Sequence, residues 1–119
     1  MRIALTHPHS WPEVRRGAER MIVEKARSLS AAGHDVTVFT AGSVAADGPH
    51  EGYRLVRFRQ RHPDPAPHQR WFGRRVLLPL ARGDFDAVHS LMPGDAVSAI
   101  RAARLRRLVG RRPHRTVYE

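Results

Sequence analysis

A chain of 119 residues with 41% apolar side chains is one domain, or a piece of one, with enough apolar mass for a core, which excludes a disordered tract. Its net charge of +10 invites a nucleic-acid partner, but the basic residues are 20 Arg and a single Lys. That skew reads as compositional bias, and no aromatic-studded basic motif accompanies it, so no nucleic-acid partner is expected. There is no Cys for disulfide or thiolate chemistry, no apolar run near the roughly 18 residues of a membrane span, and no secretory signal, so a cytoplasmic location is the expectation.

Ile3-Ala4-Leu5 reads as a strand, and "THPHSWPEVRRGAER" follows it. From Gly17 to Ala32 the residues Ile22, Val23, Ala26 and Leu29 fall on one helical face, with Arg20, Glu24 and Arg27 opposite and Gly33 as the C-terminal cap. "DVTVFTAG" is a second strand, apolar and β-branched, and strand–helix–strand makes a parallel βαβ unit. "GYRLVRFRQ" alternates Arg with apolar residues, the pattern of a strand with one wetter face near the sheet edge. "RHPDPAPH", with three Pro in eight residues, reads as loop. "QRWFGRRVLLPLARG" reads as a helix that Pro79 should kink or end. "FDAVHS" is a short strand leading into "LMPGDAVSAIRAARLRRLVG", a helix with Pro93 and Asp95 in its first turn and Val97, Ile100 and Ala103 as its buried face. "HRTVYE" begins a last strand.

Strands alternating with helices predict an α/β, doubly wound parallel sheet of about five strands. Ligands of such sheets bind beyond the carboxyl ends of the strands, where residues 7–17 and 89–94 fall. A helix that opens at Gly17 in that position presents unpaired N–H groups and partial positive charge, suited to an anion, often a phosphate.

In order and spacing, "RIALTH", "RRGAER", "AAGHDVTVFTAG", "GDFDAVHSLMP" and "HRTVYE" resemble the N-terminal domain of family 4 glycosyltransferases. The resemblance covers essentially residues 1–119. It implies a Rossmann-like domain, the N-terminal half of a GT-B architecture, which mainly receives the acceptor. The implied activity is transfer of a sugar from a nucleotide-sugar donor to an acceptor hydroxyl, with retention and without a metal or other cofactor. A second, nucleotide-binding domain would complete the enzyme. The chain stops before one, so a truncated domain that is inactive alone is the expectation. Where the family has two Gly before the helix this chain has Arg16 and Gly17, and where it has a second His this chain has Leu91.

Carried onto this sequence, the resemblance makes His89 the catalytic candidate, with Arg16, Gly17, Glu19, His7 and His9 as substrate-binding candidates. Each has a plainer reading. Gly17 can be an ordinary helix start, and Arg15 and Arg16 a solvated pair beside Glu13 and Glu19. Glu19 can be a first-turn carboxylate stabilised by the helix dipole. His7 and His9 can be loop residues and His89 a half-buried strand-end residue. A His-x-His pair without a third ligand predicts no metal. His34, His50, His62, His68 and His114 read as surface or loop residues. The rival function is a non-catalytic Rossmann-like module that binds a small anionic ligand or an anionic surface. In 68–82, Phe72, Val76 and Leu80 form a core stripe, while Arg70, Arg74, Arg75 and Arg82 lie among Trp71 and Leu78. That face suits an anionic membrane interface, unless Trp71 merely covers a neighbouring loop.

Overall fold

Strand β1 (Arg2–Thr6) carries Ile3, Ala4 and Leu5, apolar on both sides, and so belongs inside a sheet covered on both faces. The computed structural model describes residues 1–9, 17–90 and 93–118, which form a six-stranded sheet of order β3-β4-β2-β1-β5-β6. The other strands are β2 (Asp35–Gly42), β3 (Ala46–His50), β4 (Tyr53–Arg59), β5 (Ala87–Ser90) and β6 (Arg115–Tyr118). β1 pairs in parallel with β2, with Ile3 opposite Val36, and with β5, with Leu5 opposite His89. The expected βαβ crossover is therefore present.

The alternation along each strand sorts two cores. Helix α1 (Gly17–Ala31) covers one face, where Ile22 and Ala26 meet Ile3, Leu5, Val36, Val38 and Tyr53. Helices α2 (Pro65–Arg82) and α3 (Pro93–Leu108) cover the other, where Phe72, Val76 and Leu80 meet Ala4, Phe39, Phe58 and Val88. Gly33 ends α1 with φ of 92°, the left-handed region that favours Gly. There His34 N–H donates to Leu29 O, so the cap is of the Schellman kind.

Four expectations change. The sheet gains a sixth strand, β3, whose sequence "ADGPH" has little β propensity. It forms as the antiparallel edge of a hairpin closed by Glu51 and Gly52, both at positive φ, and Pro49 is tolerated because the strand is at the edge. β4 consequently lies one strand in from that edge, and neither of its faces is simply wet. Tyr53 and Leu55 are apolar on one face before Arg57, while Arg54 precedes Val56 and Phe58 on the other.

The second change is that α2 begins at Pro65 and absorbs the second half of the segment read as loop, 65–68, while 61–64 remain loop. Pro65 and Pro67 sit in the first turn, where backbone N–H groups have no intrahelical partner to lose, and the His68 N–H to Asp64 O bond closes that turn. Pro79 lies inside α2 without ending it, flanked by buried Val76, Leu80 and Ala81.

Third, α3 turns a different face inward. Ala96, Ala99 and Ala102 are buried, whereas Val97 and Ile100 are 47% and 44% exposed. Small residues let α3 lie close against α2, where Ser98 Oγ donates to Gly73 O at 2.7 Å. The buried Arg106 continues that face and donates to Ala81 O, Arg112 O and Asp84, joining the C-terminal ends of the two helices. Fourth, His68 and His114 are buried core residues and not surface ones. The side chains of Pro93 and Asp95, and the residue Leu91, lie outside the described residues.

Candidate functional site

β1 and β5 run side by side and end together, so their carboxyl ends present Thr6, His7, His89 and Ser90 at one edge of the sheet. Thr6 Oγ1 donates to Ser90 Oγ at 2.8 Å in the buried layer facing α2 and α3. His7 and His89 belong to the opposite alternation and face α1, because Leu5 does.

His7 is 2% exposed and Glu19 1%, and His7 Nε2 meets Glu19 Oε1 at 3.1 Å. The pair joins the end of β1 to the first turn of α1. Glu19 is therefore more than a dipole-stabilised surface carboxylate: it is sealed inside and bonded across elements. His7 N–H donates to Phe39 O and extends the β1–β2 ladder by one residue.

His89 lies 3.3 Å from Lys25, its Nε2 facing Nζ. An ammonium has donors only, so Nε2 accepts in this contact. Lys25 is the single lysine of the chain, and it reaches the residue singled out as the catalytic candidate. Its one signal was being the only Lys in an Arg-rich chain.

His9 sits over His68, with ring centroids 4.9 Å apart. His68 fixes this loop: its Nε2–H donates to Pro8 O at 2.6 Å from a fully buried position on α2. Only the helical placement of residues 65–68 could reveal that link. Gly17 opens α1, is exposed, and has none of the described residues within 4 Å of where a Cβ would stand. Arg15 and Arg16 lie outside the described residues.

A cleft of about 260 Å³ runs along α1 over β2 and β4. Val38, Leu55 and Ile22 make an apolar lining; His9, Glu19, Thr40 and Arg57 stand at its end nearest the strand carboxyl termini. At the other end Arg27 and Glu51 form an ion pair of 2.6 Å, beside His50. Burial, reinforced by the Glu51 carboxylate, raises the Tyr53 phenol above its ordinary pKa, so it stays a neutral hydrogen-bond donor at physiological pH. Of the candidates, the structure brings His9 and Glu19 onto this cleft, with His7 behind Glu19.

The sequence model of Glycosyltransferase Family 4 matches residues 15–118. The chain belongs to glycosyltransferase family 4. The match takes in α1 and every element after it. Among solved structures, a sucrose-phosphate synthase from Thermosynechococcus elongatus is similar at a TM-score of 0.66 and 19% identity, over 98% of this chain and 32% of that one. This likeness shows the Rossmann-like fold, and this family 4 chain spans about a third of that protein's length. No curated protein matches the chain.

On the Arg-rich face of α2, Trp71 is half-buried and packs against the core, while Leu78 is 51% exposed. Arg75 lies over the Phe58 ring, 4.4 Å from its centroid. Among the described residues no helix is long and apolar enough to cross a membrane.

Proposed function

We propose that this family 4 chain is the acceptor-side domain of a glycosyltransferase that moves a sugar from a nucleotide-sugar donor to an acceptor hydroxyl with retention. The observation that carries the reading is the opening of α1 at Gly17, at the carboxyl edge of β1 and with no described residue within 4 Å of where its Cβ would stand. There the first N–H groups of α1 would hydrogen-bond the donor diphosphate, and the absent side chain lets phosphate come close. His89, oriented by Lys25, stands on the neighbouring strand to hydrogen-bond the sugar, and the cleft along α1 receives the acceptor. Its volume is below the roughly 300–1,000 Å³ of pockets for larger ligands, which suits a single sugar ring.

In this reading the donor nucleotide is held by a second domain, so the 119 residues alone transfer no sugar. Sugar transfer by the purified chain would count against that division. The diphosphate role is tested with pyrophosphate. Titration into the chain is expected to shift the backbone amides at the start of α1, and Gly17→Val to weaken binding roughly ten- to a hundredfold, the loss of a charge-assisted hydrogen bond. Gly17 is not in the left-handed region and is exposed, so folding should be unharmed. Equal affinity in the variant and the parent would overturn the role.

A further inference from the structure

Arg57 is out of place. On the α1-facing side of β4 it follows Tyr53 and Leu55, both packed against α1, and it lies opposite Thr40 of β2. Its Nε is buried, and no hydrogen-bond acceptor of the described residues reaches it. Buried N–H groups on a charged side chain are costly to leave unsatisfied, and each such case calls for a cause. The cleft's two carboxylates do not supply one: Glu19 is bonded to His7 and Glu51 is paired with Arg27. Arg57 is thus a guanidinium held at the edge of a sugar-sized cleft with no counter-charge bonded to it among the described residues.

We propose that the cleft along α1 takes an acceptor carrying an anionic group, a phosphate or a carboxylate, bound by Arg57. The proposal rests on the acceptor-side reading above and adds the chemical class of the acceptor. The geometry separates its parts. The ring of the acceptor lies on Val38 and Leu55, and its anion lies against Arg57 beside Thr40, at the end of the cleft nearest the strand carboxyl termini. A planar guanidinium presents paired donors that match a carboxylate or phosphate edge, so the anion also fixes the orientation of the ring. Arg57 also borders a more open groove with Arg59, Arg61 and Trp71, which the test must separate from the cleft.

The test uses the 119-residue chain with three probes: glucose 6-phosphate, glucuronate and glucose. The two charged sugars are expected to bind at least about tenfold more tightly than glucose, as charge-assisted hydrogen bonds require. The tighter of the two identifies the anion as phosphate or carboxylate. The Arg57 Nε–H resonance and the Leu55 methyl groups should shift, while the Trp71 indole, which reports on the open groove, should not. Arg57→Gln should remove the charged-sugar preference and Arg57→Lys should keep part of it, whereas the Arg59→Gln/Arg61→Gln pair should leave it intact. Because the resonance shifts are read on the unaltered chain, failure of Arg57→Gln to fold would not remove the test. Equal binding of charged and neutral sugars, no binding of any probe, or shifts confined to Trp71 would overturn the proposal. A chain that responds to glucose 6-phosphate at Arg57 but not to pyrophosphate at Gly17 would sink the diphosphate role and leave this site standing; the opposite pattern would sink only this site.

Discussion

His114 shows how a single buried side chain couples stability to pH. Its Nε2–H donates to Ala99 O at 2.8 Å, joining the segment before β6 to α3. Burial, with a smaller repulsion from Arg106, holds its pKa below the ordinary 6.5 despite that hydrogen bond. The unfolded chain therefore takes up a proton near pH 6.5 while the folded chain does not. The stability tied to a neutral His114 is complete above that pH and is lost as the pH falls through the lower, folded value. Thermal unfolding followed by circular dichroism should show a declining Tm below pH 6.5, and His114→Gln should flatten that decline; an unchanged slope would refute the linkage. A separate loss belongs below about pH 4. There Asp84, held low chiefly by its hydrogen bond from Arg106, and Asp86, held low chiefly by the Arg2 N–H, become protonated from an ordinary value of 3.8. The candidate residues divide at this scale too. His7, Glu19, His9 and His89 were legible because they bracket a strand end and a helix start. Lys25 and His68 were not, because each acts on a residue distant in sequence, and Arg57 was not, because only packing sets it at the cleft.

Among the elements, α3 shows where periodicity misleads. Val97, Ile100 and Ala103 make a plausible apolar face, yet the helix buries Ala96, Ala99 and Ala102 instead. A stripe of small residues carries little hydrophobic signal but permits close helix approach, and the Ser98–Gly73 bond between α3 and α2 depends on that closeness. Ala99→Leu is expected to destabilise the fold by about 1–3 kcal/mol through overpacking, whereas Ile100→Ser should stay within about 0.5 kcal/mol. Urea denaturation decides between them, and the reverse ranking would restore the original assignment of faces. By contrast, α1 matched its periodicity because its large residues Ile22 and Leu29 are themselves the ones that pack. The hairpin strand β3 had no comparable signal, since its pairing with β4 supplies what its composition lacks.

Over the whole molecule, charge is distributed unevenly. Among the described residues the ion pairs Arg2–Asp35, Arg20–Glu24, Arg27–Glu51, Arg54–Asp47, Arg106–Asp84 and Arg112–Asp86 leave two exposed basic groups: Arg59, Arg61, Arg70, Arg74 and Arg75 around the end of β4 and α2, and Arg101, Arg104, Arg107 and Arg111 along α3 and just after it. Such faces should draw the protein to anionic vesicles and not to neutral ones, with release as salt screens the attraction. Leu78→Ser is expected to weaken this adsorption without unfolding. Trp71→Ser should instead lower stability, because Trp71 packs against the core. Co-sedimentation at low salt reads the first effect, and equal partition to both vesicle types would end the idea.

The sequence by itself determined the parallel β1–β2 core, the α1 crossover and the sheet edge at which the candidate site lies, because period and punctuation are local properties of the chain. It also carried the family, since motifs in a fixed order survive without coordinates. Tertiary structure alone decided the edge strand, the inward face of α3, the early start of α2 and the meeting of Lys25 with His89. Each depends on which surface another element brings near: an edge strand is stabilised by its neighbour, and a small residue is buried only where a helix comes close. Arg57 belongs with these, for its charge was plain in the sequence and only packing left it in a cleft with no partner for its Nε among the described residues.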